Sequence, residues 1–324
     1  MMKMLKIDKK DLKLLSVLDM DARLPIPALA KKIGVSRQLA EYRFKRLVSE
    51  KVILHAMAVY DQRTFGQNIY RVLFQLYQSS EKIVEAFVHY LIEEYHIMWA
   101  AKLGGGWDLV VNFVAPDIQT FDEQFMRIAR DYENLIQQYH ILTYVSITDC
   151  HRGYLLAKKE QRTFVHLQNG SLLHLDEKDR KLLTLLAENC RENNITLGKK
   201  VGLTGNAVRY RIKQYEAQGL LLGYRLFIDA SLLGYQNHLV LLTVNNLTEK
   251  NGKRLQEYLL QHHQITFVVK HLGAYRIAFE IESPTIESLE TTLREIRTTF
   301  STLVSDLRVF AVLKEYVANY AAGI

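Results

Sequence analysis

Sulfur is scarce: of 324 residues only Cys150 and Cys190 carry a thiol. Two such residues build no disulfide framework, and neither has a second sulfur at metal-binding spacing. No apolar run reaches the ~18 residues that span a bilayer. The opening stretch, MMKMLKIDKKDLKLL, turns charged too early for a secretory signal. There is no Walker loop and no serine nucleophile elbow. Gly104-Gly105-Gly106 precedes an expected strand rather than a helix, so it is no dinucleotide fingerprint. The histidines offer no ligand pattern. His262 and His263 are neighbours expected on different helix faces, and His140 and His151 surround a strand without cysteine or carboxylate company. Together these absences predict a soluble cytoplasmic protein that is not an enzyme, holds no metal or cofactor, and has no membrane partner.

What is present argues for order and for more than one domain. Apolar residues make up 48% and charged residues 24%, values that exclude intrinsic disorder. Self-similarity is the strongest signal. LKIDKKDLKLLSVL from Leu5 lies over LHLDEKDRKLLTLL from Leu173 at an offset of 168 residues, and from Leu5 to Gly66 19 of 62 positions are identical. Asp8/Asp176, Asp11/Asp179, Arg23/Arg191, Gly34/Gly202, Tyr42/Tyr210, Arg43/Arg211, Lys45/Lys213, Asp61/Asp229 and Gly66/Gly234 are among them. The register holds downstream, where Lys102 meets Lys270 and Pro116 meets Pro284. The chain reads as a tandem duplication.

Charge divides along the same lines. The net charge is +7 over residues 1–60 and +4 over 173–228, against −3 over 61–172 and −1 over 229–324. A basic module joined to a mildly acidic one is the footprint of a polyanion binder attached to a different kind of unit.

The basic modules have the punctuation of helix-turn-helix units. Asp8 caps a helix bearing Leu12, Leu14, Leu15 and Leu18, with Asp11 at its third position, and Asp176 and Asp179 repeat the device. A short helix Ala28–Ile33 ends at Gly34, or at Gly202 in the second copy. Ser36 then caps RQLAEYRFKRLVSE, and Thr204 caps GNAVRYRIKQYEAQ. Ala40, Phe44 and Leu47 form the buried stripe of one helix and Val208, Ile212 and Tyr215 that of the other. The opposite faces carry groups able to reach base edges and phosphates. Alternating apolar residues follow (Val52, Leu54, Ala56; Leu220, Leu222, Tyr224) and read as wing strands.

Beyond Gly66 the pattern predicts β-α-β-β-α-β. The strands fall at 71–77, 97–103, 107–114 and 141–147, with helices at 81–95 and 117–132. The second copy places strands near 239–245, 265–272, 275–281 and 307–313, and helices near 250–262 and 285–300. This order is the ferredoxin-like split unit, whose open sheet face usually finds a partner sheet. The fold class is therefore α+β, with two winged helix-turn-helix domains (1–60 and 173–228) alternating with two ferredoxin-like domains (61–157 and 229–324), joined by a linker over 158–172.

With GVSRQLAEYRFKRL…KVI, GLTGNAVRYRIKQY…GLLLGYRLFIDASLLG and the GGGWDL turn in place, the chain resembles the Lrp/AsnC (feast/famine) transcription regulators over nearly its whole length, twice. The resemblance implies binding to double-stranded DNA, a second module for dimerisation and effector binding, often of amino acids, and further homo-oligomeric assembly. Direct base readout is expected from Arg37, Gln38 and Tyr42 in one half-site and from Asn206, Arg209 and Tyr210 in the other, beside the caps Ser36 and Thr204. Arg43, Lys45, Arg46, Arg211 and Lys213 are expected on phosphates, with Arg43 and Arg211 also candidates for structural pairing. The resemblance places the effector at Gly104, Gly105, Gly106 and Asp108, where the second copy reads Leu272, Gly273, Ala274 and Arg276. Family members normally carry one copy per chain, so the two sheets of this chain are expected to pair as an intramolecular pseudo-dimer. Two alternatives stay open: a sirohaem decarboxylase-like enzyme of the same architecture, for which His271, Lys270 and Arg276 leave a small opening, and an assembly protein that binds no DNA.

Overall fold

The computed structural model describes residues 6–78, 80–156, 163–166 and 172–324. The first helix-turn-helix is built from α1 (Lys9–Met20), α2 (Ile26–Ile33) and α3 (Arg37–Ser49). Asp8 and Asp11 close a reciprocal capping box on α1, whose Leu14, Leu15 and Leu18 are fully buried. Gly34 ends α2 in the left-handed region at φ 71°, which glycine enters without steric cost, and the Ser36 hydroxyl accepts from Leu39 N to start α3. Strand β1 (Ile53–Tyr60) then leads to Asp61, whose carboxylate accepts from Arg63 N in a tight turn that Gly66 closes.

The module that follows runs β2 (Asn68–Leu76), α4 (Glu81–Glu94), β3 (Ile97–Gly104), β4 (Leu109–Ala115), α5 (Ile118–Asp131) and β5 (Ile136–Cys150). A short strand β6 (Thr163–His166) comes next. The second copy repeats the plan with α6 (Glu177–Glu188), α7 (Asn194–Val201), α8 (Gly205–Ala217), β7 (Leu221–Ile228), β8 (Gln236–Val244), α9 (Glu249–Gln261), β9 (Ile265–Leu272), β10 (Ile277–Ser283), α10 (Ile286–Thr299) and β11 (Val304–Ala318).

Each ferredoxin-like sheet buries one face under its own helices. Phe74, Phe87, Phe121 and Phe125 fill the first such core, and Phe279, Leu255, Leu259 and Leu293 the second. The other faces meet each other. Strand β5 pairs with β2 through its first half and, from Thr143 on, with β9 of the other copy. Strand β11 does the same, with β8 up to Ala311 and then with β3. The two long strands thereby stitch both sheets into a closed ring ordered β2-β4-β3-β11-β8-β10-β9-β5 and back to β2. Closure gives every strand of this ring two neighbours.

Two expectations need correction. The segments read as wing strands belong together rather than to separate modules: β1 pairs antiparallel with β7, Ala56 opposite Leu226 and Ala58 opposite Tyr224, in one ribbon shared by both copies. Each module has a single strand at this point and no turn to fold it back, so the sister strand completes the ladder. The span 158–172, read as a linker, holds β6 at Thr163–His166, paired with β5. This strand covers the edge of β5 that is left open once β5 has parted from β2. Of that span, residues 158–162 and 167–171 lie outside the described residues.

Identities between the copies become contacts across the ribbon. Arg23 donates to the Cys190 carbonyl and Arg191 to the Ala22 carbonyl, while Ala22 N bonds Tyr224 O and Cys190 N bonds Ala56 O. The Tyr60 hydroxyl reaches across to the Leu183 carbonyl at 2.8 Å. Both thiols are buried.

Candidate nucleic-acid interface and interior cavity

The stripe that seats α3 consists of buried Ala40 and Leu47 with half-buried Phe44, and Val208, Ile212 and Tyr215 seat α8. Because these residues turn inward, their helical neighbours must turn outward. Arg37 and Gln38 stand exposed in the first turn of α3, and Asn206 and Arg209 at the start of α8. Tyr42 and Tyr210 are each 63% exposed, large rings held in solvent at equivalent points of the two copies. Lys45 pairs only with Glu41 on the surface, 2.8 Å away, a contact worth little in water. Lys213 is exposed and makes no ion pair among the described residues. Ser36 and Thr204 are spent on capping, accepting from Leu39 N and Ala207 N.

Three of the arginines expected on phosphates have partners inside the protein. Arg43 Nη1 sits 2.8 Å from both Asp8 and Asp11, and Arg46 pairs with Asp11. Arg211 bridges Asp176 and Asp179 in the same way. These pairs tie α3 to α1 and α8 to α6. The Asp11 backbone N–H together with Arg43 lowers the Asp8 carboxyl to about 2.

The glycine turn between β3 and β4 is packed against the other copy. A side chain added at Gly104 would meet Leu313 Cδ1 at 3.3 Å, and at Gly105, where φ is 111°, the Val309 carbonyl at 3.5 Å. Asp108 Oδ2 accepts from Leu76 N at 2.7 Å. The turn thus joins the end of β2 to β11. His262 and His263, expected on separate helix faces, instead stack with ring centroids 4.9 Å apart just past the end of α9.

A second feature escaped the sequence reading. Between the ribbon and the barrel lies a cavity of about 540 Å³, walled by Met57 and Phe227 on one side and by Trp99, Tyr144 and Glu280 on the other. Two of its cations have carboxylate partners: Arg152 between Asp19 (2.9 Å) and Glu282 (2.9 Å), and Arg225, whose Nη1 lies 2.8 Å from Asp149 without an aligned hydrogen bond. Arg71 has no carboxylate partner among the described residues. Its Nε donates to Asn112 Oδ1 at 3.0 Å, its Nη1 finds no partner among the described residues, and its plane lies beside the Trp99 and Tyr144 rings. Among the described residues, Glu280 accepts from the Asn237 amide and Glu315 from Trp99 Nε1, each at 3.2 Å, and neither has an ion-pair partner. Burial and the Glu280 charge push the Glu315 carboxyl up to about 8. The available signal was charge set within an apolar strand, one residue in YRVLF and two in IAFEIE, but nothing in one sequence says that two such strands face each other.

A family model for the AsnC-type helix-turn-helix domain matches residues 7–48 and 175–216, which are α1–α3 and α6–α8. An uncharacterised HTH-type transcriptional regulator of Pyrococcus abyssi is 30% identical over 146 residues, 44% of this chain and 93% of that protein. The chain belongs to the Lrp/AsnC family. It carries the family's unit twice, since one whole relative spans less than half of it. The leucine-responsive regulatory protein of Haemophilus influenzae is 38% identical over 79 residues, 24% of this chain and 45% of its own. Among solved structures, the siroheme decarboxylase NirDL superposes over 96% of this Lrp/AsnC chain and 94% of its own, with a TM-score of 0.63 and 11% identity. That likeness is one of fold. NirDL has also been solved with an iron-uroporphyrin III analogue.

Proposed function

We propose that this protein is a sequence-specific, DNA-binding transcription regulator whose single chain supplies both recognition helices. The observation that carries the reading is the shared ribbon: β1 and β7 hold α3 and α8 in a pseudo-twofold pair, each with a free polar and cationic face turned outward. Arg37, Gln38 and Tyr42 read one half-site in the major groove, and Asn206, Arg209 and Tyr210 read the other, with Lys45 and Lys213 on phosphates. Selection of bound sequences from a random duplex library tests this directly, and failure to enrich any sequence would sink it.

Cytoplasmic location and assembly into larger homo-oligomers belong to the same reading and rest on the family. Among the described residues no helix is long and apolar enough to cross a membrane. Modulation by a small molecule such as an amino acid is proposed at Gly104, Gly105, Gly106 and Asp108, on the strength of the resemblance. The second copy has Arg276 in place of Asp108, so calorimetry with an amino-acid panel should find one site type at these turns; two equivalent sites would contradict it.

The fold shared with NirDL favours a second reading, an enzyme acting on a tetrapyrrole. A uroporphyrin bears acidic groups all around its ring, and the cavity would set Glu280 and Glu315 against them, with Arg71 to meet one. An unchanged absorbance spectrum after incubation with iron-uroporphyrin would dispose of this alternative.

A further inference from the structure

Of the charges lining the cavity, Arg152, Arg225 and Lys314 have carboxylate partners within 2.9 Å, and Asp229 caps its own turn. Arg71, Glu280 and Glu315 are the exceptions, one cation and two acids without an ion-pair partner among the described residues. Burying a charge without a partner costs several kcal/mol (roughly) unless something neutralises it; here burial holds both glutamates toward their neutral form, and Arg71 is left without a hydrogen-bonded carboxylate among the described residues. The Tyr144 hydroxyl and His238 Nδ1 are likewise buried without a partner among the described residues.

The duplication did not create this arrangement. At the offset of 168, Arg71 corresponds to Leu239, Glu280 to Asn112 and Glu315 to Ile147. Each exceptional charge occurs in one copy only, so the cavity is polarised although the barrel around it is pseudo-symmetric. It therefore has one binding orientation per chain.

We propose that the cavity is a binding site for an ampholytic small molecule, its carboxylate on Arg71, its basic nitrogen between Glu280 and Glu315, and its apolar body along Trp99 and Phe267. Each requirement has its own observation. Arg71 offers a free Nη1 to an anion, and a carboxylate there gains a charge-assisted hydrogen bond in a water-poor setting. A cation between the two glutamates restores the charge that burial suppresses in both. An acid alone would leave the glutamates unpaired, and an amine alone would leave Arg71 so. At about 540 Å³ the space belongs to the class that encloses ligands well above the size of a single amino acid. The site is distinct from the Gly104–Asp108 turn and does not rest on the DNA-binding reading.

The test is calorimetric titration of the full chain with ω-aminocaprylate and with its two single-charge halves, caprylate and octylamine. The ampholyte should bind tighter than either half by about tenfold or more, the value of one buried charge-assisted contact. Arg71→Gln should abolish the advantage over octylamine, and the double variant Glu280→Gln/Glu315→Gln the advantage over caprylate. Equal affinity for all three compounds, no heat from any, or tighter binding of a uroporphyrin would overturn the proposal. The wild-type comparison decides the matter even where a variant fails to fold.

Discussion

Arg37 and Arg43 lie six positions apart on the same helix and have opposite fates. Arg37 meets no carboxylate among the described residues and stands in solvent, whereas Arg43 is held by Asp8 and Asp11. Replacing Arg37 by Ala should cost about 1–3 kcal/mol on the preferred duplex and relax one base position. An equal loss on every sequence would mark it as a phosphate contact. Arg43→Ala should instead lower the unfolding midpoint, since it leaves fully buried Asp11 with fewer donors. Glu315 supplies a pH test. Its carboxyl lies near 8 in the folded protein against the usual 4.5, so between those values the folded state keeps a proton that the unfolded chain has released. Stability should therefore fall as pH rises through that window and level off above it. In a Glu315→Gln variant this fall should shrink, as followed by denaturant midpoints across the pH series; an unchanged slope would mean that Glu315 is hydrated and ionised. Residue identity made the caps and the exposed helix faces readable in advance, because capping and amphipathic spacing are local. The partners of Arg71 and Arg43 were not readable, because they come from strands and helices that only the fold brings near.

At the scale of elements, local chemistry again sets the limit. Ser36 and Thr204 start α3 and α8 by the same hydroxyl-to-amide bond. Ser36→Ala and Thr204→Ala should each cost about 1 kcal/mol of stability, read as a lowered denaturant midpoint with the slope unchanged. No shift would show that the first turn draws its order from packing alone. Helix ends were foreseen within a residue or two wherever a cap and a glycine bracket them. Strands fared worse, for a physical reason. Alternation shows that a segment is extended and half-buried but is silent about its neighbour, so β1 and β7 read as separate wings although each completes the other. Strand β5 was expected over 141–147 and runs from Ile136 to Cys150: the missed first part pairs with β2 of its own copy, and the missed end with β9 and β6. Strand β11 was expected over 307–313 and runs on to Ala318, because its tail takes its partner, β3, from the other copy. Pairing between copies has no local signature.

For the whole molecule, the consequence of duplication is a dimer-like frame that need not be symmetric. The ribbon keeps the twofold relation: Arg23 and Arg191 clamp reciprocal carbonyls, and Ala56 and Ala58 face the positions equivalent to each other. The reading surfaces do not keep it. Arg37, Gln38 and Glu41 of α3 stand where α8 has Gly205, Asn206 and Arg209. A homodimer must offer the same side chains to both half-sites and so favours a palindrome, while this chain offers two different sets in one fixed spacing. Its preferred duplex should hold two unlike half-sites about one helical turn apart. With about six phosphates engaged, the log–log salt slope should be roughly −5. Exchanging the two recognition faces, by grafting the α3 residues onto α8 and the reverse, should then invert the orientation of the bound site without changing its sequence or the salt slope. A palindromic preference, or a site indifferent to the exchange, would mean that two chains rather than two halves of one chain meet on the DNA.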